Sequence, residues 1–233
     1  MGAHLIQGRL RFAACVAAAG LMAGGPAAAV DNDIGSWLIA STNGALGDDS
    51  RWRFAADTQA RFRDPGSGTA QYLLRPSLGM PLTDGLTGWL GFARFESRSA
   101  SGQRAHENRY WQQLSWDARP LGSGTIRYRL RLEQRFVSIS NDDGLWLRLL
   151  ARYEHPLSDG KTLYLGAETF YDLRDTDWSG EAGPRQHRIM FGVGWQLAPQ
   201  WRFELGYLNQ YQVRDSRAND SNHLLTLRLN HRF

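Results

Sequence analysis

Asp220-Ser221-Asn222-His223-Leu224-Leu225-Thr226-Leu227-Arg228-Leu229-Asn230-His231-Arg232-Phe233 is the stretch whose reading decides the fold. Its odd positions give His223, Leu225, Leu227, Leu229, His231 and Phe233; its even positions give Asn222, Leu224, Thr226, Arg228, Asn230 and Arg232. Successive side chains on a strand point to opposite faces, so this is a strand with one apolar side and one mostly polar side.

The same two-faced pattern recurs upstream. From Arg51 to Arg63, Trp52, Phe54, Ala56, Thr58, Ala60 and Phe62 alternate with Arg51, Arg53, Asp57, Gln59, Arg61 and Arg63. No helical spacing fits, and thirteen residues are enough to cross a bilayer at a tilt. Ala70 to Met80 sets Tyr72, Leu74 and Leu78 on one side. Leu86 to Arg98 sets Trp89, Gly91, Ala93 and Phe95 against Arg94, Glu96 and Arg98. His106 to Ala118 opposes Tyr110, Leu114 and Trp116 to Glu107, Arg109, Gln113 and Asp117. Thr125 to Val137 is the clearest, with Ile126, Tyr128, Leu130, Leu132 and Phe136 opposite Arg127, Arg129, Arg131, Glu133 and Arg135. Leu145 to Tyr153, Leu163 to Leu173, Arg185 to Leu197 and Trp201 to Val213 complete the series.

Short connections rich in Pro, Gly or Asp (80–86, 119–124, 155–160, 198–200) alternate with longer polar ones (97–105, 138–144, 174–184, 214–221). Tight periplasmic turns and larger extracellular loops are what an outer-membrane barrel shows. The expected fold is therefore all-β, an antiparallel up-and-down transmembrane β-barrel over residues 51–233. Single-chain bacterial barrels have an even strand number, so ten strands are preferred and twelve is the alternative. Residues 30–50, with Trp37, are then a periplasmic lead-in segment or an interior strap, outside the barrel wall. The terminal aromatic Phe233 resembles the signal that such barrels present to the insertion machinery, with His231 where that signal usually carries an apolar residue.

Met1 to Ala29 has Arg9 and Arg11, an apolar run from Phe12 to Met22, and small residues at Ala27, Ala28 and Ala29. That order is a secretory signal peptide, too short and too rich in Ala and Gly for a membrane helix. The one cysteine, Cys15, lies inside it, so no disulfide framework or thiol chemistry is expected in the mature chain. Loss of Arg9 and Arg11 lowers the net charge from +4 to +2, which gives no reason to expect a nucleic-acid partner. The expected location is the bacterial outer membrane, reached through the periplasm, with outer-membrane lipid and lipopolysaccharide as surroundings.

If the apolar phase faces lipid, the opposite phase lines the lumen. It carries Asp57, Arg61, Arg94, Glu96, Glu107, Arg109, Asp117, Arg127, Arg129, Arg131, Glu133, Arg135, Arg148, Arg152, Glu154, Glu168, Asp172, Arg188, Arg202, Glu204 and Arg228. The planar fork of arginine pairs with carboxylates, so these residues form either a lattice of ion pairs that plugs a small barrel or a narrow pore favouring anions. Trp52, Trp89, Trp116, Trp195 and Trp201 are expected on the lipid side, where an indole rests at headgroup level. His106, His187 and His223 fall near the extracellular strand ends but on the apolar phase, and no serine stands out as a nucleophile. A rim hydrolase with a His/Asp site, near Asp175, Asp177, Glu181, Asp215 and Asp220, is the enzymatic alternative; no catalytic residue, metal ligand or cofactor is assigned. Asp175 to Glu181 lacks the spacing of a twelve-residue calcium loop.

Trp37, the run Glu107-Asn108-Arg109-Tyr110-Trp111-Gln112-Gln113, Phe191-Gly192-Val193-Gly194, Leu205-Gly206-Tyr207-Leu208-Asn209-Gln210 and Asn222-His223-Leu224-Leu225 resemble the bacterial barrel family known as domain of unknown function 2490. The resemblance implies an outer-membrane location and supplies no activity, so no functional residues are carried over from it. The role expected is structural or pore-like, with a lipopolysaccharide- or solute-binding barrel as the binding alternative.

Overall fold

A computed structural model describes residues 30–48, 50–63, 68–158, 160–215 and 218–233, the side chains of 119–121 excepted. The signal peptide expected over 1–29 lies outside the described residues. Eleven strands follow in order: β1 Val30–Ala45, β2 Arg53–Arg63, β3 Ala70–Thr83, β4 Leu86–Arg98, β5 Arg104–Leu121, β6 Gly124–Val137, β7 Asp143–Pro156, β8 Lys161–Asp172, β9 Gly183–Ala198, β10 Trp201–Gln212 and β11 Asn219–Arg232. Each pairs with its chain neighbours in antiparallel register, and β1 pairs with β11 in parallel, which closes the barrel. Closure leaves no unpaired edge among these strands.

Ten or twelve strands were expected, and the described residues form eleven. The parity rule assumes an all-antiparallel closure, and here one parallel seam admits an odd strand. Nor is this segment a lead-in or a strap, since Val30–Ala45 is a strand of the wall. Gly35, Trp37, Ile39 and Ser41 face the interior while Ile34 and Leu38 face out, and Trp37 pairs with Arg61 on one side and Thr226 on the other. The parallel seam also places Val30 beside Asn219, at the end of the barrel that carries the longer loops.

At the opposite end three of the connections are tight. Asp84-Gly85, Gly122-Ser123 and Pro199-Gln200 are two residues long, and Gly85 and Gly122 have φ of 79° and 65°, where a side chain would be strained.

The outer surface carries exposed aliphatic side chains around its middle, among them Leu38, Leu74, Leu90, Leu149, Leu165, Ile189 and Leu225. Aromatic rings flank them. Trp52, Trp116 with Tyr128, Trp195 with Phe203, and Trp201 with His231 and Phe233 stand at the turn end. Phe62 with Tyr72, and Tyr110 with Phe136, stand at the loop end.

Strand β4 has the opposite phase from the one its polarity suggested. Ala93 and Phe95 are 1% and 3% exposed and face inward, and Phe95 stands between Leu73 and Glu107 on the inner face. Trp89 also faces inward, with its ring against Gly79, where a Cβ would come within 2.6 Å of the indole Cδ2. Arg94 and Glu96 consequently lie on the outer face, paired to each other at 2.6 Å and half exposed. Register with β3 and β5 decides the face, and a one-residue slip would turn every side chain of β4 over.

Candidate functional site

The interior is built on three glutamates, each within reach of three arginines. Glu133, 1% exposed, meets Arg109 at 2.9 Å, Arg131 at 3.2 Å and Arg148 at 2.5 Å. Glu168 meets Arg129 at 2.5 Å, Arg148 at 2.7 Å and Arg188 at 3.3 Å. Glu204 meets Arg152 at 2.9 Å, Arg202 at 3.1 Å and Arg228 at 3.7 Å. Arg148 joins the first two hubs. Glu107 takes both Arg109 and Arg135, and Glu154 takes Arg152 and Arg202. Charges this far from bulk water are tolerable only when paired and hydrogen-bonded, and guanidinium forks supply both at once.

Aromatic faces support the same arginines. Arg61 lies 4.1 Å from the Trp37 ring and 5.7 Å from Phe95; Arg109 lies 4.1 Å from Phe95 and 5.0 Å from Trp146. Trp146 meets Phe170 edge-on at 5.3 Å, and Arg188 lies 4.5 Å from Phe170 and 5.0 Å from Trp37. These contacts close on themselves. They form a girdle of four aromatic and three arginine side chains drawn from β1, β2, β4, β5, β7, β8 and β9. A guanidinium stacked on a ring keeps its N–H edge free for an acceptor, so the girdle orients cations without using up their hydrogen bonds.

Within the barrel is a cavity of about 1300 Å³. Its lining runs from Ser99 and Arg104 at the loop end, past the girdle, to Arg127 and Glu154 at the turn end. Fourteen arginines and four glutamates line it. Asp57 and Glu133, paired with Arg75, Arg109, Arg131 and Arg148, do not bring the balance near zero. The result is a strongly positive interior.

Of the residues expected in the lumen, Asp57, Arg61, Glu107, Arg109, Arg129, Arg131, Glu133, Arg135, Arg148, Arg152, Glu154, Glu168, Arg188, Arg202, Glu204 and Arg228 lie on the inner face, in the hubs, the girdle or the cavity lining. Asp117 and Arg127 form a half-exposed pair at 2.8 Å at the turn-end mouth. Asp172 sits at the loop-end rim with Arg185 and Ser179. Arg94 and Glu96 are on the outer surface. Sequence reasoning missed Arg75, which pairs with Asp57 at 2.6 Å, and all the inward aromatics. Arg75 precedes Pro76 in a strand with little charge, and its odd position beside Leu73 was the available signal.

At the loop end, residues 173–182 pack against Arg135, the 138–142 loop and Arg185. The Trp178 ring lies 4.5 Å from Arg135, its Nε1 donates to the Asp142 carbonyl at 2.9 Å, and Ser140 donates to Asp177 at 2.6 Å. Arg185 donates to the Glu181 carbonyl and to Asp215 at 2.8 Å. That bond from Arg185 holds the Asp215 carboxyl below the usual carboxylate range. Asp175 accepts from the Ala182 amide, so these acidic side chains are engaged within the loops.

The rim histidines face outward. His187 contacts Thr169 at 3.2 Å, and His223 contacts Tyr207 at 2.6 Å and Asn32 at 3.4 Å. Among the described hydrogen bonds neither ring meets a carboxylate. Both lie on the face opposite the cavity.

Comparison with known proteins gives a match over residues 34–222 to the model of a family described as "Protein of unknown function (DUF2490)". A curated relative, "Uncharacterized protein MexAM1_META1p0181" of Methylorubrum extorquens, is 29% identical over 196 residues, covering 83% of this chain and 85% of its own length. Among solved structures, a loop L8 deletion mutant of OmpT, an outer membrane protein of Vibrio cholerae, aligns with a TM-score of 0.43 and 13% identity over 74% of this chain. The chain spans 58% of that protein's length. The translocator domain of the autotransporter NalP from Neisseria meningitidis aligns with a TM-score of 0.43 and 17% identity over 76% of this chain and 72% of its own.

Proposed function

The chain belongs to the DUF2490 family, and we propose that it is an integral outer-membrane barrel whose arginine-lined lumen is a narrow, anion-favouring pore. The outer face supports membrane insertion. An aliphatic band between two sets of aromatic rings matches hydrocarbon between two headgroup layers. Lipid and lipopolysaccharide are the proposed surroundings, and the C-terminal Phe233 the proposed contact with the insertion machinery.

The single observation that carries the pore reading is the charge of the cavity wall, fourteen arginines against four glutamates. A conduit with one sign of charge and low-dielectric walls concentrates counter-ions of the other sign. Planar-bilayer recording of the refolded protein under a KCl gradient tests it. The expected result is small conductance steps with a reversal potential on the chloride side. Bilayers that stay silent at every protein concentration, or a potassium-side reversal, reject it.

A second reading, a plugged barrel with a structural role, draws on the three glutamate hubs, whose ion pairs reach across neighbouring strands. Silent bilayers would favour it. A rim hydrolase is the weaker proposal, because His187 and His223 face away from the cavity. Lipid and peptide hydrolysis at background level, unchanged by His187→Ala or His223→Ala, removes it.

A further inference from the structure

Arg61 differs from the other arginines of the girdle. Arg109 gives its edge to Glu107 and Glu133, and Arg188 gives part of its edge to Glu168. The described bonds of Arg61 reach only neutral amides: Nε donates to Gln59 at 2.9 Å and Nη1 to Gln71 at 2.9 Å. Its guanidinium lies half-buried over Trp37 on the cavity wall, with Arg188 sharing the same indole. Two cations share one ring, and among the described ion pairs only Arg188 has a carboxylate, that of Glu168. The carboxylate nearest to Arg61 along its bonds, Asp57, stands behind Gln59 and is bound to Arg75, which leaves Arg61 without an ion pair of its own. A charge held against low-dielectric walls without an ion pair is a ready seat for an anion.

The walls beside this position are apolar. Trp37 packs with Ile39, Leu208 and Met190, and all four line the cavity. A chloride or phosphate ion would gain nothing from that surface. A carboxylate offers two coplanar oxygens to a guanidinium edge, and an attached apolar body would cover the adjoining side chains.

We propose that the lumen holds a specific site for a small organic monocarboxylate with a short apolar body. In it the carboxylate bridges Arg61 and Arg188, and the body lies against Ile39, Leu208 and Met190. The site deepens the pore reading, since it lies in the same lumen and would select among the anions that enter.

The test is a titration of the full refolded chain in detergent with sodium benzoate, sodium phosphate and sodium chloride at matched ionic strength. It is read by calorimetry and by tryptophan fluorescence, because Trp37 is part of the site. The expected result is saturable benzoate binding at least tenfold tighter than phosphate. Arg61→Gln should weaken benzoate at least tenfold and Arg61→Lys should recover part of it, while Arg94→Gln on the outer face changes nothing. Folding of each variant is checked by the heat-modifiable shift of the barrel on gels. Absence of saturable benzoate binding by the unmodified protein overturns the site whatever the variants do, and phosphate binding as tight as benzoate overturns the carboxylate assignment. Benzoate binding in a protein that never conducts would uphold the site and remove the pore; conductance without saturable benzoate binding would do the reverse.

Discussion

Replacing Glu168 with Gln isolates the charge of one interior hub. Glu168 is 3% exposed and takes Arg129, Arg148 and Arg188. The amide keeps the shape and one acceptor oxygen, so what is lost is the negative charge. Arg148 retains Glu133 at 2.5 Å, whereas Arg129 and Arg188 have no second carboxylate among the described ion pairs. Breaking a buried pair while its partner stays costs about 3–5 kcal/mol. With a urea dependence near 3 kcal/mol per molar, the unfolding midpoint falls by about 1–2 M. The assay is equilibrium urea unfolding of the refolded barrel, followed by tryptophan fluorescence. Asp117→Asn is the matched control: its pair with Arg127 is half exposed at the turn-end mouth, and such pairs contribute about 0.2–1 kcal/mol. Equal midpoints for Glu168→Gln and Asp117→Asn would refute the claim that these hubs are buried and hold the barrel together.

Gly192→Ala should destabilise the barrel by about 1–3 kcal/mol, because the new Cβ meets the Gly206 Cα at 2.6 Å and backbone cannot retreat. Gly166→Ala meets the flexible Met190 side chain at 3.0 Å and the Ala151 carbonyl at 3.3 Å, a milder crowding, and should unfold within about 1 kcal/mol of wild type in the same urea titration. Because the Arg185–Asp215 bond lowers the Asp215 pKa, the tie between the 173–182 and 213–218 loops is fully present above the ordinary carboxylate pKa of about 3.9 and is lost as pH falls through the lowered value. Hydrogen exchange at the Glu181 amide, which donates to Asp215, should be flat from pH 7 to 5 after correction for intrinsic rates, with protection lost only in stronger acid. Single cysteines at Asn32 and Asp177 should be modified from the same side of the membrane by an impermeant thiol reagent, and a cysteine at Pro199 from the other. Opposite-side labelling of Asn32 and Asp177 would dismiss the parallel β1–β11 seam.

Much of the fold is legible because alternation is a local property. Ile126 to Phe136 against Arg127 to Arg135, and the closing strand to Arg232, keep in the barrel the faces their sequence suggests. The errors have non-local causes. In β4, Phe95 is apolar and Arg94 charged, yet Phe95 faces inward, because Leu73 and Glu107 flank it and Arg109 stacks on it. A lumen crowded with arginines needs apolar faces to support their planes, so apolar no longer means outward. In β1, Trp37 and Ile39 belong to the wall, but strand parity had argued them out of it, and parallel pairing leaves no mark on a single strand's composition. The arginine and glutamate members of the site were visible one by one. Their grouping into hubs and a girdle was not, since Trp37, Phe95, Trp146 and Phe170 come from strands far apart in the chain.

Fluorescent labels on single cysteines, placed in the refolded protein in lipid bilayers, test the central claim most directly. At Leu90, Leu165 and Leu225, exposed on the outer face, the label should be quenched by nitroxide-bearing lipid and ignored by aqueous iodide; at Gln71 and Asn230, which line the cavity, the preference should reverse. Iodide quenching at the three leucines with no response to the lipid nitroxide would contradict the account.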